Sequence, residues 1–186
     1  MGCPFTKKQL VDCTTVTLAG IIASEIIVFN QADINKDTTT AAFDANGSLT
    51  ILDLIGTSKG YVWQATTDQA GNIGSDSNLT ALQNATYTHN ATLYGYGNTG
   101  ADLERFVELT KGNVTIAART KNGNIMIVGF DSGMRPTSTY KASDNEGLRM
   151  FELATYEGEI ESWELRQFVG TTATNALRWQ ELIALT

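Results

Sequence analysis

The sequence is poor in the residues from which most site chemistry is built: it has one His and two Cys in 186 residues. A single imidazole removes metal sites of several histidines and most histidine proton relays. Two cysteines exclude a disulfide-dense scaffold and a zinc site of four thiolates. Cys3 and Cys13 read as free thiols of a reducing compartment, a bridge between them being the other reading. No stretch approaches the roughly 20 apolar residues of a membrane span. The best, residues 18–29, is interrupted by Gly20, Ser24 and Glu25. No apolar run of about 7–15 residues follows Lys7 and Lys8, so the opening does not read as a signal peptide. Gly2, Cys3 and Thr6 match a lipidation pattern only formally. Basic residues are also scarce, 13 Lys and Arg against 20 Asp and Glu, a net charge of −7. Proteins that clamp nucleic acid without sequence preference neutralise phosphates with Lys and Arg, so that class is disfavoured.

Thr is abundant at 26 residues, Asn occurs 13 times and Gly 17 times. An apolar fraction of 42% excludes wholesale disorder, and the length fits one domain with a real core. The branched Cβ of Thr suits a pleated, half-exposed surface, so the composition leans towards strands.

Along the chain, residues 1–24 are mixed and read as an N-terminal arm. Residues 25–30 form a short apolar run, a buried strand. Residues 31–47 are rich in Asp, Asn and Thr and read as a loop with one helical turn. Residues 48–55 and 60–67 read as strands, and 68–78 as a small-residue loop or exposed hairpin. The clearest period of two spans residues 83–94. Ala85, Tyr87, His89, Ala91 and Leu93 share one face, and Asn84, Thr86, Thr88, Asn90 and Thr92 the other. Residues 101–111 read as a helix docked through Leu103, Phe106, Val107 and Thr110, stopped by Gly112. Strands at 113–120 and 124–130 flank Lys121-Asn122-Gly123, whose Asn-Gly is the pair favoured in a type I′ hairpin turn. Residues 131–147 read as a polar loop. Segments 148–156 and 159–168 read as a second hairpin around Glu157 and Gly158. Residues 174–185 read as a C-terminal helix capped by Thr174 and docked by Leu177, Trp179, Leu182 and Ile183. The expected class is mainly β, or α+β: a sandwich or barrel core over 25–169 with a flanking helix and a C-terminal helical tail, 170–186.

The chemical motifs are weak. Gly95, Gly97 and Gly100 match the G-x-G-x-x-G of dinucleotide sites. The strand before them alternates polar and apolar, whereas a Rossmann strand is buried on both faces. Arg119, Thr120 and Lys121 stand where an acid would hold the ribose, so the glycines read as a strand-to-helix turn and no cofactor is expected. Asp33, Asn35, Asp37 and Asp44 imitate a calcium loop, but Thr38 occupies the position that needs Gly, and no metal is expected. Asn46, Asn78, Asn84, Asn90 and Asn113 head Asn-x-Ser/Thr sequons that an Asn/Thr-rich strand face writes automatically. His89 has no Ser or Cys in any known nucleophile pattern beside it and reads as a partly buried strand histidine, so no catalytic residues are expected. The densest charge feature is Glu152, Glu157, Glu159, Glu161 and Glu164. With Glu159 and Glu161 on one strand face, it reads as an acidic edge or as a surface with a job, a wall from which phosphate is repelled.

Several segments together resemble the tail-tube or tail-hub proteins of phages that infect Bacteroidetes, including the crAss-like group. They are residues 26–34 with Gln31-Ala32-Asp33, the helix 102–110 entering strand 113–118, and Asn122-Gly123-Asn124. They continue with Val128-Gly129-Phe130-Asp131-Ser132-Gly133-Met134 and Ser143-Asp144-Asn145-Glu146-Gly147-Leu148. Cys3 and Asp12-Cys13 resemble that group's opening, while the tail after Phe168 departs from its simplest members. The resemblance implies a tail-tube-like sandwich or barrel and a non-enzymatic virion protein assembled in the host cytoplasm. It implies rings of copies of itself, usually six-fold, stacked around a channel. DNA is then a non-specific passenger, neighbouring tail or head–tail connector proteins are partners, and no membrane is involved. The five glutamates are then candidates for the channel or interface surface. A rival reading is a carbohydrate-binding or adhesive β-sandwich, from Tyr61, Trp63, Tyr94 and Tyr96 beside Asn- and Thr-rich strands. A third is a hydrolase with paired carboxylates, whose defining separation is spatial.

Overall fold

A computed structural model describes residues 21–63, 72–80, 84–96, 100–137, 141–142, 148–156, 161–162 and 165–186. The lipidation pattern, both cysteines and most of the expected arm lie outside them. Among the described residues, ten strands form two antiparallel sheets that do not close into a barrel. The first sheet contains β1 (Ile21–Asn30), β2 (Tyr61–Trp63), β5 (Val114–Thr120), β6 (Ile125–Val128) and β10 (Arg166–Phe168), in the order β10-β6-β5-β1-β2. The second contains β3 (Asn72–Thr80), β4 (Asn84–Tyr96), β7 (Arg135–Pro136), β8 (Lys141–Ala142) and β9 (Leu148–Ala154). Its order is β3-β4-β9-β7, with β8 also on β9. The helices are α1 (Lys36–Ala41), α2 (Gly100–Lys111) and α3 (Asn175–Ile183).

The first sheet is the middle layer. Ile26, Val28, Val114, Ile116 and Ala118 face the second sheet, meeting Ala91, Leu93, Phe151 and Leu153, with Phe106 and Leu109 of α2 closing one side. Ile27, Phe29, Ala117, Ile125 and Ile127 face the other way, beneath Ile34, Leu49, Leu52, Leu54 and α3's Trp179 and Leu182. Burial on both faces is why β1 reads as an unbroken apolar run. β1 begins at Ile21, inside the expected arm, and its register on β5 shifts between Ile21 and Ile26.

Several expectations change. Residues 48–55 are an irregular segment, not a strand, joined by single bridges such as Leu49 to Phe168 and Leu54 to Ile34. Leu49, Leu52 and Leu54 are buried at uneven spacing, so the alternation is broken by packing onto a sheet. Residues 72–80, most of them read as a loop or exposed hairpin, are one unbroken strand at the sheet edge in nine-pair register with β4. The turn between β5 and β6 has the three residues 121–123 that the expected strands leave, but it is not a two-residue type I′ turn. Thr120 N–H donates to Asn124 O, Gly123 N–H donates to Thr120 O, and Gly123 sits at φ +82°, the αL position of a three-residue hairpin loop. Segments 148–156 and 159–168 are not a hairpin: β9 lies in the second sheet and β10 in the first, so the chain crosses over between them.

Helix α2 holds its expected place but not its expected face. Phe106 and Leu109 are buried, while Leu103 is 41% exposed and Val107 48%. Gly95 fixes that orientation: a Cβ there would lie 2.6 Å from Phe106 Cε1 and 3.1 Å from Trp63 Cζ2. Helix α3 is capped by Thr174, whose Oγ1 accepts from Leu177 N–H at 3.3 Å, as read from the sequence. Leu177 itself is exposed, and Trp179 and Leu182 dock the helix.

Candidate functional site

The five candidate glutamates do not form one described surface. Glu152 stands partly exposed on β9, paired with Thr92 of β4. Glu157, Glu159 and Glu164 lie outside the described residues. Glu161 is no surface acid: it is 1% exposed and sits between the two sheets. Its backbone bridges Tyr87 of β4 in both directions, at 2.9 and 3.1 Å. That crossing turns its side chain inward, which an acid-rich sequence stretch conceals.

Around Glu161 the structure assembles a polar knot. Its Oε2 accepts from Asp131 N–H at 2.8 Å and its Oε1 from Ser132 N–H at 2.9 Å. Desolvation raises the Glu161 pKa; the two backbone N–H bonds and His89 oppose that, and Asp131 adds to it. The Asp131 carboxylate accepts from Ser162 N–H at 2.9 Å and from Arg166 Nη2 at 3.3 Å. Arg166 lies over the rings of Phe43 and Phe130, at 4.4 and 5.0 Å. Burial lowers its pKa and Asp131 holds it up. The Asp131 carbonyl takes Lys36 Nζ at 2.6 Å and Gln31 Nε2 at 3.1 Å.

His89 completes the knot. It is fully buried, deeper than the partly buried position expected. Its Nδ1 accepts from Gly129 N–H at 2.9 Å. A backbone amide only donates, so Nδ1 carries a lone pair and the neutral ring holds its proton on Nε2. The 3.9 Å approach of Nδ1 to Glu161 Oε2 is therefore a meeting of two acceptors rather than an ion pair. Thr115 Oγ1 donates to Gly129 O at 2.7 Å, and Asn113 Nδ2 to Ser132 O at 3.0 Å. The loop 129–134 is thus tied to both sheets through its main chain. Both carboxylates are engaged in bonds that hold the loop. Arg166 and Asp131 were not singled out in the sequence. The available signal was His89 itself, an imidazole on the apolar face of an alternating strand, which requires buried polar partners.

The other candidate surface is the outward face of the second sheet. Thr86, Thr88, Asn90, Thr92 and Tyr94 of β4 are all partly exposed, as are Met150, Glu152 and Ala154 of β9. Asn90, Thr92 and Tyr94 pair with Ala154, Glu152 and Met150. β3 sets Asn72, Asp76 and Asn78 opposite Thr92, Thr88 and Thr86. Hydroxyl and amide residues are the commonest at these positions, and the register adds the acids Asp76 and Glu152 and the bases Arg135 and Lys141, opposite Ala154 and Met150. Of the aromatic residues of the sugar-binding reading, Tyr61 is exposed on β2 and Tyr94 partly exposed on β4. Trp63 packs on Phe106 and Phe151, and its Nε1 donates to the Tyr94 carbonyl at 2.9 Å.

The calcium-like residues are also engaged otherwise. Asn35 Oδ1 caps α1 by accepting from Thr38 N–H, and Asp44 Oδ1 accepts from Asn46 and Ser48 N–H. Among the described residues no group of three His, Cys, Asp or Glu is placed to hold a metal ion, and no helix is long and apolar enough to cross a membrane. No family model, curated protein or solved structure matches the chain.

Proposed function

We propose that this chain is a structural protein of a phage tail, forming rings of its own copies around a channel through which DNA passes. Its partners are then further copies of itself and the neighbouring tail or connector proteins. The observation that carries the reading is the second sheet. One face builds the core, and the other offers a broad array of Thr and Asn side chains with few charges. Such a face hydrates well, and the register sets few cations on it, Arg135 opposite Ala154 and Lys141 opposite Met150, which suits a conduit that DNA must slide through. The net charge of −7 works in the same direction. Glu152 belongs to this wall; Glu161, buried, does not. Head-to-tail contacts between unlike surfaces close into rings, and the apolar Leu103 and Val107 on α2 give one such surface on a side away from the wall.

Light scattering coupled to size-exclusion chromatography, with negative-stain imaging, tests the reading. Rings or stacked tubes are expected as concentration rises. A chain that stays monomeric at high concentration and forms neither would overturn it.

A further inference from the structure

Two unlike surfaces of the chain carry matching patterns. On α2 the exposed Leu103 and Val107 are followed one turn on by the exposed Lys111, and Glu104 lies beside Leu103 at the other end. The stripe runs from acid through apolar to base, about 10 Å along the axis from Glu104 to Lys111. On the far side of the first sheet, Ile51, Leu52, Phe168, Leu182 and Leu185 line an open hollow of about 200 Å³. A small-molecule site takes roughly 300–1,000 Å³, so this hollow fits a few inserted side chains better than a cofactor. Glu181 stands at the rim, where Thr171 holds both its oxygens: the N–H donates to Oε2 at 3.0 Å and the hydroxyl to Oε1. Further along, the Leu185 carbonyl accepts from Gly60 N–H at 2.9 Å, and the exposed Lys59 adjoins that bond in the chain. The hollow therefore also runs from acid through apolar to base.

The helix that bears the stripe docks through Phe106 and Leu109 in the core between the sheets, whereas Phe168 and Leu182 belong to the core beyond the first sheet. The middle layer stands between the two, so a chain does not fill its own hollow. We propose that the hollow receives α2 of a second copy. Leu103 and Val107 insert beside Ile51 and Leu185, Lys111 meets Glu181, and Glu104 meets Lys59. Apolar anchors in a pocket carry the affinity, and the opposed order of charges fixes which way the helix lies. Each copy then gives one stripe and accepts another, a head-to-tail contact of the kind that closes into a ring. This contact presupposes the rings proposed above and names what joins their subunits.

Complementation between two full-length variants tests it. Val107→Asp spoils the stripe and leaves the hollow; Ile51→Asp spoils the hollow and leaves the stripe. Both positions are exposed, so both chains should fold with the wild-type unfolding midpoint. By light scattering, each alone should need at least about thirtyfold more protein than wild type to assemble, the size of a lost interface anchor. Mixed in equal amounts, they retain one good stripe and one good hollow and should form a one-to-one dimer that grows no further. Lys111→Glu should weaken assembly about tenfold, and adding Glu181→Lys should restore it to within about threefold of wild type. Should either Asp variant fail to fold, this charge exchange decides alone. Wild-type rings together with Asp variants that assemble equally well would overturn the docking and leave the ring reading standing. So would a mixture that stays monomeric, or a charge exchange without rescue. A wild type that never assembles would overturn the ring reading, and the docking with it.

Discussion

The first sheet is buried on both faces and the second on one, and their strands show it in opposite ways. In β1, Ile26, Ile27, Val28 and Phe29 are successive and all buried. In β4, His89, Ala91, Leu93 and Gly95 are buried while Asn90, Thr92 and Tyr94 between them are not. A middle layer has no wet side on which to place a Thr, so its strands lose the alternation that marks an outer layer. Adaptable surface is therefore concentrated on the second sheet, and the first is committed to stability.

The largest expected effect breaks or confirms that division. Ile26→Ala and Ile27→Ala point to opposite faces of β1, and each should cost about 2–5 kcal/mol in denaturant unfolding. Leu93→Ala should cost a similar amount, whereas Thr92→Ala on the other face of β4 should stay within about 0.5 kcal/mol. If either isoleucine proved as tolerant as Thr92, the first sheet would not be a middle layer.

The glycines between β4 and α2 sharpen the comparison at the seam of the sheets. Gly95→Ala drives a methyl into Phe106 and should cost about 1–3 kcal/mol by overpacking. Gly100→Ala, with no atom within 4 Å of the new Cβ, should fall within about 0.5 kcal/mol of wild type. Equal costs would mean that α2 is not seated by Gly95. A dinucleotide loop would need its glycines for phosphate approach; here Gly95 serves the packing of a ring.

Glu161 tests the junction between the sheets. Glu161→Gln removes one backbone acceptor and turns an NH₂ towards a buried N–H, at a cost of about 1–3 kcal/mol near neutral pH. Burial raises the pKa of Glu161 in the folded chain, so its contribution is greatest below the usual carboxylate range and is lost as pH rises through the raised value. Wild type should therefore gain on the Gln variant as pH falls towards the usual carboxylate range. A gap that narrows instead, measured by unfolding at several pH values, would show that the charged form is the favoured one.

What the sequence disclosed follows the same division between layers. β4, α2, α3 and the Thr174 cap are legible because periodicity and capping are local properties. The two-sided β1 is legible as an apolar run, but nothing local says what covers each face. Residues 48–55 mislead because their leucines answer to a sheet contacted from above, and that contact sets the spacing of Leu49, Leu52 and Leu54. The chain crossing from β9 to β10 is equally non-local. Glu161 therefore reads as one acid in an acidic stretch and folds as the buried tie of loop 129–134. Leu103 and Val107 complete α2's apolar periodicity yet face outward, because Gly95 admits Phe106 and so sets the helix rotation.

The smallest expected effect on stability carries the most information about function. Thr92 lies on the outward face of the second sheet, directly opposite Glu152. Thr92→Lys should leave unfolding within about 0.5 kcal/mol of wild type, since a cross-strand Lys–Glu pair offsets the lost strand preference. If that face lines a DNA conduit, the assembled variant should retain double-stranded DNA in low salt and release it as salt rises, and wild type should not retain it. Each ring repeats the new cation once per subunit, so the retention should grow with assembly. A variant that assembles normally and ignores DNA at low salt would remove this face from the channel while leaving the rings intact. A variant that no longer assembles would instead place Thr92 at a contact between copies. The Thr and Asn array would then serve subunit packing, and the channel wall would have to be sought on another face.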